Sequence, residues 1–246
     1  MEITTPIGLV LALVAILGGT VVHGSHLSSL WEPSAFIIVV IGTFAATFVQ
    51  TPLKTFLASL KLAPLAFKPP ADNAEATLKD IVEWSNVARK QGLLSLEATA
   101  EAQADPFRKK ALQLLVDGTE AQVLRDVMET EIDQTEEHDI KSAKVFEAMG
   151  IYSPTLGICG AVLGLISVMS HLADPSKLGA GIAAAFVATI YGIGTAYLLY
   201  IPLSAKLQTF VRRRSHVQTL FVEGIVAIAN GENPRNIEAR LLAYLK

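Results

Sequence analysis

Across 246 residues the sequence holds one cysteine and two tryptophans. A single cysteine, Cys159, excludes an internal disulfide and a cysteine metal cluster. Set in an apolar run beside Gly157 and Gly160, it is expected to be a small packing residue. No P-loop, GxSxG, HExxH or CxxC occurs, so the motif-borne enzyme chemistries are absent. The most telling scarcity is of charge. No Asp, Glu, Lys or Arg interrupts residues 148–173 or 178–205, although charged residues make up 17% of the chain.

What fills those gaps is apolar, in keeping with a chain that is 51% hydrophobic. Each run exceeds the roughly 20 residues needed to cross about 30 Å of hydrocarbon, so both predict membrane helices. They form a hairpin across a short polar turn at residues 172–177. Small residues crowd it: Gly157, Gly160, Ala161 and Gly164 on the first arm, Gly181, Ala184, Ala185, Ala188, Gly192 and Gly194 on the second. Gly160 and Gly164 form a GxxxG pair, which lets another backbone approach closely. Residues 7–22 and 34–53 predict two more spans, joined through residues 23–31, and 7–22 lack the basic flank of a cleavable signal peptide. Trp31 suits a membrane interface, and His23 and His26 are expected to be solvated loop residues, not a metal site.

Lysine and arginine placement sets the orientation. Lys54, Lys61 and Lys68 follow the second span, Lys141 and Lys144 precede the third, and Lys206 and Arg212–Arg214 follow the fourth. The opposite loops contain only Lys177. The positive-inside rule therefore puts both termini and residues 54–147 in the cytoplasm. The expected fold is an all-α polytopic membrane protein of four transmembrane helices. A large helical cytoplasmic segment lies between the second and third, and the cytoplasmic C-terminus is helical. The expected organisation is residues 1–53, first two spans; 54–147, cytoplasmic helical domain; 148–205, third and fourth spans; 206–246, C-terminal helices.

The cytoplasmic segment carries helix punctuation. Pro69-Pro70 ends the exit from the membrane. Leu78, Ile81, Val82 and Ala88 recur at helical spacing before a Gly92 stop. Ser95 is expected to cap a short helix over residues 97–104, Asp105-Pro106 to cap the next, and Gly118 to end it. Thr119 with Gln122 predicts a capping box for a long acidic helix that runs on towards the membrane. Past Pro202 a helix is expected to continue to Asn230-Gly231, and Asn233-Pro234 to cap a final one bearing Ile237, Leu241, Leu242 and Leu245.

The spans contain no carboxylate, and ion paths through bilayers normally use an intramembrane ionisable group. If this chain conducts ions, that group must come from a partner. His171 lies at the outer end, where an interfacial role suffices.

Residues 152–166 (YSPTLGICGAVLGLI), residues 185–192 (AFVATIYG) and Pro202 resemble the A-subunit of bacterial flagellar stators, the MotA/PomA family. Residues 89–97 (RKQGLLSLE) and 231–235 (GENPR) are similar to that family too. ExbB and TolQ share the last hairpin but have one helix, not two, before the cytoplasmic segment. The resemblance implies a ring of A-subunits, five by analogy, around a MotB-like B-subunit. That partner brings the ion-binding aspartate and a peptidoglycan-binding domain. Ion flow then drives torque on the rotor switch protein FliG from the inner membrane, with no cofactor and no nucleic acid involved.

By motif, Pro154 and Pro202 match the family's two functional prolines, and Thr189 its pore-facing threonine, with Thr155 and Ala161 in the same pathway. Arg89 and Glu97, with Lys90 beside them, match the charges that engage the rotor. Each has a plainer reading: membrane prolines kink helices, threonines bond a carbonyl of their own helix, and surface charges are solvated. Ile151 stands where many members carry an aspartate. Ala161 stands where sodium-driven members carry a threonine, which favours H+ over Na+. A second, MotC-like stator set would fit as well as a principal one. The alternatives are an ExbB/TolQ-type energiser of outer-membrane processes and a membrane scaffold that transports nothing.

Overall fold

The computed structural model describes residues 3–22, 24, 26–68, 73–172 and 175–245. His23 and Pro69-Pro70 lie outside the described residues, as does part of the turn at 172–177. No strand occurs among the described residues. The helices are α1 (Thr4–Val22), α2 (residues 33–50), α3 (Leu53–Leu62), α4 (Ala74–Gln91), α5 (Glu97–Glu101), α6 (Pro106–Val116), α7 (Ala121–Met169), α8 (residues 175–229) and α9 (Pro234–Leu241). Four stretches are long and apolar enough to cross a membrane: Thr4–Val22, Leu27–Gln50, and parts of Ala121–Met169 and Leu178–Ala229.

The chain divides into two compact units, residues 1–69 with 139–210 and residues 70–138 with 211–246. The divisions fall inside α7 and α8. The acidic helix expected to approach the membrane and the third span are thus one helix of 49 residues, and Pro154 sits within it.

The first unit holds the apolar runs. Helix α1 has no fully buried residue, and most of its apolar side chains are exposed, as lipid allows. Several buried hydroxyls of this unit bond backbone carbonyls: Thr43 to Val39 O at 2.6 Å, Thr47 to Thr43 O at 2.7 Å, and Ser204 across to Ala143 O at 2.9 Å. An unsatisfied polar group in hydrocarbon costs several kcal/mol, so such bonding is obligatory. Both α2 and α8 contain a π-helical turn, at Ile37–Ile41 and Ala196–Tyr200. In α8 the Ile201 N–H reaches back five residues to Ala196 O, and Pro202, which has no N–H, follows at once.

The second unit has a conventional core. Ile81, Leu96, Leu112, Leu115, Leu124, Met128, Phe221 and Ile225 are fully buried, each contributing about 1.5–3 kcal/mol of apolar burial. Gly224 lets α4 close on α8: a β-carbon there would lie 2.6 Å from Ile81 Cδ1. Asp105 caps α6 by accepting from the Phe107 N–H at 3.0 Å, with Pro106 at the first helical position, as expected. Asn233 caps α9 in the same way. Gly118, with φ of +73°, ends α6: its N–H bonds Leu115 O and the Thr119 N–H bonds Leu114 O.

Two expected caps are corrected. The Ser95 hydroxyl turns back to Gly92 O at 2.6 Å, and α5, flanked by Leu96, has no side-chain cap and ends at Glu101, not Ala104. Gln122 forms no capping box, because its amide bonds Asp126 Oδ1 at 2.7 Å, one turn further along α7. Side chains that can reach several backbone groups choose by local geometry that spacing alone does not supply.

Candidate functional site

The hairpin arms of α7 and α8 meet along a seam of small residues. A β-carbon on Gly157 would lie 2.9 Å from Ala188 O and 3.1 Å from Gly192 Cα. One on Gly192 would lie 2.7 Å from Ser153 O and 3.2 Å from Pro154 Cα. Further along, Gly164 packs on the backbones of Gly181 and Ala185, each 3.1 Å from its absent β-carbon. Gly160 packs on Ala188 Cβ. The GxxxG pair therefore does bring a backbone close, and that backbone is the other arm of the same hairpin. Along this seam the small residues of each arm are packed against the other arm.

The faces turned away from the seam are bulky and open. Ile158, Val162 and Leu163 on α7 and Phe186, Ile190 and Ile193 on α8 are exposed. Cys159 lies on this open side, not in the packed seam expected of it. Its helix position is one residue away from the glycine stripe, and a stripe is only as wide as its small residues.

Polar groups pin the seam. The Ser153 and Thr195 hydroxyls are 2.7 Å apart, and Thr195 also donates to Tyr191 O at 2.7 Å. Tyr191 reaches across to Leu30 O at 2.6 Å, tying α8 to the segment before α2. Tyr152 hydrogen-bonds Gln50, tying α7 to the end of α2. These four residues escaped the sequence reading. The available signal was that a hydroxyl in an apolar run must find a partner.

Of the residues singled out from the sequence, Pro154 is half-buried against Gly192, and its missing N–H leaves Gly150 O without its usual helical donor. Gly150 itself leaves room for Ile201, whose Cγ1 would be 2.5 Å from a β-carbon there. Thr189 is half-buried and bonds Ala185 O at 3.2 Å, one turn from the seam. Thr155 is exposed and bonds Ile151 O at 3.3 Å, and Ala161 is half-buried. Pro202 is exposed and lines a different cleft, with Thr4, Thr5 and Lys206. No group of three or more metal-ligating side chains occurs among the described residues.

The match to known proteins runs through both arms and the second unit alike. Residues 99–219 match the model of the MotA/TolQ/ExbB proton channel family, and residues 6–92 match that of the motility protein A N-terminal region. The chain is 37% identical to motility protein A of Bacillus subtilis (strain 168), over 100% of this chain and 91% of the relative. The structure matches MotAB from C. jejuni with a TM-score of 0.94 and 33% identity, covering 100% of this chain and 96% of that one. It matches the flagellar MotAB stator complex from Bacillus subtilis with a TM-score of 0.91 and 37% identity, covering 98% and 94%.

The chain belongs to the MotA/TolQ/ExbB proton channel family. Within that family its function is that of a flagellar stator ion channel, not of an enzyme, and the outer-membrane energiser is the weaker reading. Both the four-span all-helical fold and the large helical segment between spans two and three agree with this membership. The charges expected to meet a rotor lie on the second unit. Arg89 and Lys90 are exposed in the last turn of α4, and Glu97 is exposed at the start of α5. Gly92, with φ of +85°, turns the chain between them. Lys90 also lines a surface groove of about 480 Å³ with Glu83, Asn86, Gln91 and Glu238.

Proposed function

We propose that this chain is the A-type subunit of a proton-driven stator that completes its ion path with a single-span, MotB-like partner bearing the aspartate and a peptidoglycan anchor. One observation carries the reading: the uncharged runs 7–22, 34–53, 148–173 and 178–205 contain no carboxylate, while the hairpin of the last two is a closely packed seam with bulky, exposed outward faces. A transported ion releases about 2.3 kcal/mol per 100 mV, and only a group that changes protonation can couple that to movement. An exposed outward face of the hairpin would lie against the partner helix. Thr189, Pro154, Thr155, Ala161 and Pro202 belong to the ion pathway and its moving parts, and the absence of a hydroxyl on Ala161 favours H+ over Na+. Several copies, five by analogy, enclose the partner in the bacterial inner membrane.

Lysine and arginine placement puts both termini in the cytoplasm, with residues 1–53 and 148–205 in the bilayer and residues 54–147 and 206–246 inside the cell. Arg89, Lys90 and Glu97 then face FliG on the rotor. The test is proton flux into vesicles. Expressed alone, the chain should leak no protons; with its B-subunit freed of any plug, flux should appear, and exchanging the partner's aspartate for asparagine should abolish it. Equal flux from the chain alone would overturn the shared-pore mechanism.

A further inference from the structure

Between Glu32 and Asp72 the sequence holds no acidic residue, and its only charges are Lys54, Lys61 and Lys68. The first two lie on α3 and the third just past the turn at Ala63–Ala66, and all three are exposed. None of them meets a carboxylate among the described residues. Lys54 and Lys61 each follow an exposed leucine, Leu53 and Leu60, by one residue, about 100° further round the helix. Leu57, also exposed, completes that leucine row. Phe56, Ser59 and Leu62 form the third face, which is buried. There the Phe56 ring lies 4.5 Å from that of Phe48 and 6.4 Å from that of Phe44, both on α2. Helix α3 therefore has one face packed inwards and two open faces, one apolar and one cationic.

Two ties fix where this helix sits. At its start, Pro52 follows the end of the apolar stretch Leu27–Gln50 by two residues. Just past its end, Ala66 O accepts the Thr5 hydroxyl at 2.7 Å, in the first turn of α1, itself an apolar span. A helix of 10 residues reaches only about 15 Å, so α3 lies across the ends of two spans and does not lead away from them. A leucine row beside a lysine row, at the level where hydrocarbon gives way to headgroups, is the pattern of a helix lying in a bilayer surface. We propose that the open faces of α3 dock on acidic phospholipids, with Leu53, Leu57 and Leu60 among the upper acyl carbons and Lys54, Lys61 and Lys68 on the headgroups. Long lysine stems allow this, because they bury their carbons and keep the ammonium in water. Charge selects the lipid. Three cations with no acidic residue in the segment draw an anionic headgroup over a zwitterionic one, since only the former keeps a net negative charge.

The test uses the full-length chain with a cysteine-free B-subunit, reconstituted in vesicles. Cys159→Ala removes the chain's own cysteine, and Leu57→Cys then carries a bimane fluorophore on the leucine row. Brominated phosphatidylglycerol in a phosphatidylcholine bilayer, and the reverse, serve as quenchers. Both should quench, and phosphatidylglycerol about fivefold more effectively per lipid, the worth of one lysine beside an acidic headgroup. Lys54→Gln, Lys61→Gln and Lys68→Gln combined should bring the two lipids level, whereas Arg at the same three positions should keep the preference. Assembly should stand, because all these side chains are exposed. With the fluorophore moved to Leu11→Cys, exposed in the middle of α1, the lysine changes should alter nothing. Absence of quenching at residue 57 by either lipid would mean that water or another protein chain covers this face, and would overturn the proposal. So would equal quenching by the two lipids in the parent, or a phosphatidylglycerol preference that survives the triple change to Gln.

Discussion

Gly157 and Gly192 face each other across the hairpin so closely that a β-carbon on Gly192 would stand 3.0 Å from Gly157 Cα. Backbone meets backbone there, beside Pro154 and beneath the Ser153–Thr195 hydroxyl pair. Without a hydrophobic drive between helices in lipid, such close contact is what holds two spans together.

Gly192→Ala should therefore separate the arms. Overpacking of this kind costs about 1–3 kcal/mol, and the variant should show a lower unfolding temperature in detergent and poor swimming. Gly194→Ala is the matched control, because its β-carbon would only touch Ile16 Cδ1 at 3.6 Å. Equal stability of the two variants would show that the seam is not the contact that matters.

Thr189→Val tests the ion pathway. The hydroxyl bonds only its own helix in this structure, at 3.2 Å to Ala185 O, so removing it leaves no buried partner stranded. Assembly should survive while swimming speed falls. Normal speed at normal protein level would remove Thr189 from the pathway.

Arg89→Glu tests the rotor contact. The side chain is exposed, and exposed charges steer association more than they stabilise a fold. Motility should drop with the protein still folded, and a reversed charge on FliG should restore part of it. If reversing both Arg89 and Glu97 leaves swimming intact, the rotor lies elsewhere.

Glu223 gives the second unit a pH dependence. Its carboxylate, 16% exposed, takes a forked pair of hydrogen bonds from Arg125, one of them Nη2 to Oε2 at 3.1 Å. Those bonds, with the nearby charges of Arg125 and Arg240, outweigh burial and hold the Glu223 carboxyl below the usual carboxylate range. Arg125 is correspondingly held above its ordinary value, chiefly by the same bonds, with Glu129 adding to them. A lowered carboxyl stabilises the fold above the unfolded value of about 4.3 and ceases to do so as pH falls through the folded one. Glu223→Gln should cost about 1–2 kcal/mol at neutral pH, read as faster amide hydrogen exchange in residues 211–229. The gap from the parent should close on acidification. A gap that stays constant down to strongly acid pH would mean that packing, not the ion pair, accounts for it.

The sequence by itself determined the number of apolar spans, since an uncharged apolar run of sufficient length has no other soluble or membrane solution; the expected second span, 34–53, is cut short, because Pro52 ends α2 at Gln50 and opens a new helix at Leu53. The sequence also determined the helix ends at Gly92, Gly118, Asp105-Pro106 and Asn233-Pro234, where a residue's own backbone limits act within a few positions. Pro154, Thr189, Arg89 and Glu97 were singled out only through likeness to a family, because nothing local in the sequence marks a proline or a charge as functional. The tertiary structure alone decided that Gly157 meets Gly192, that Ser153 finds Thr195 across 42 residues, and that Cys159 faces outwards. The reason is rotational. A helix that is apolar all round has no preferred face in its sequence, and only contact with its neighbours fixes which stripe turns inwards.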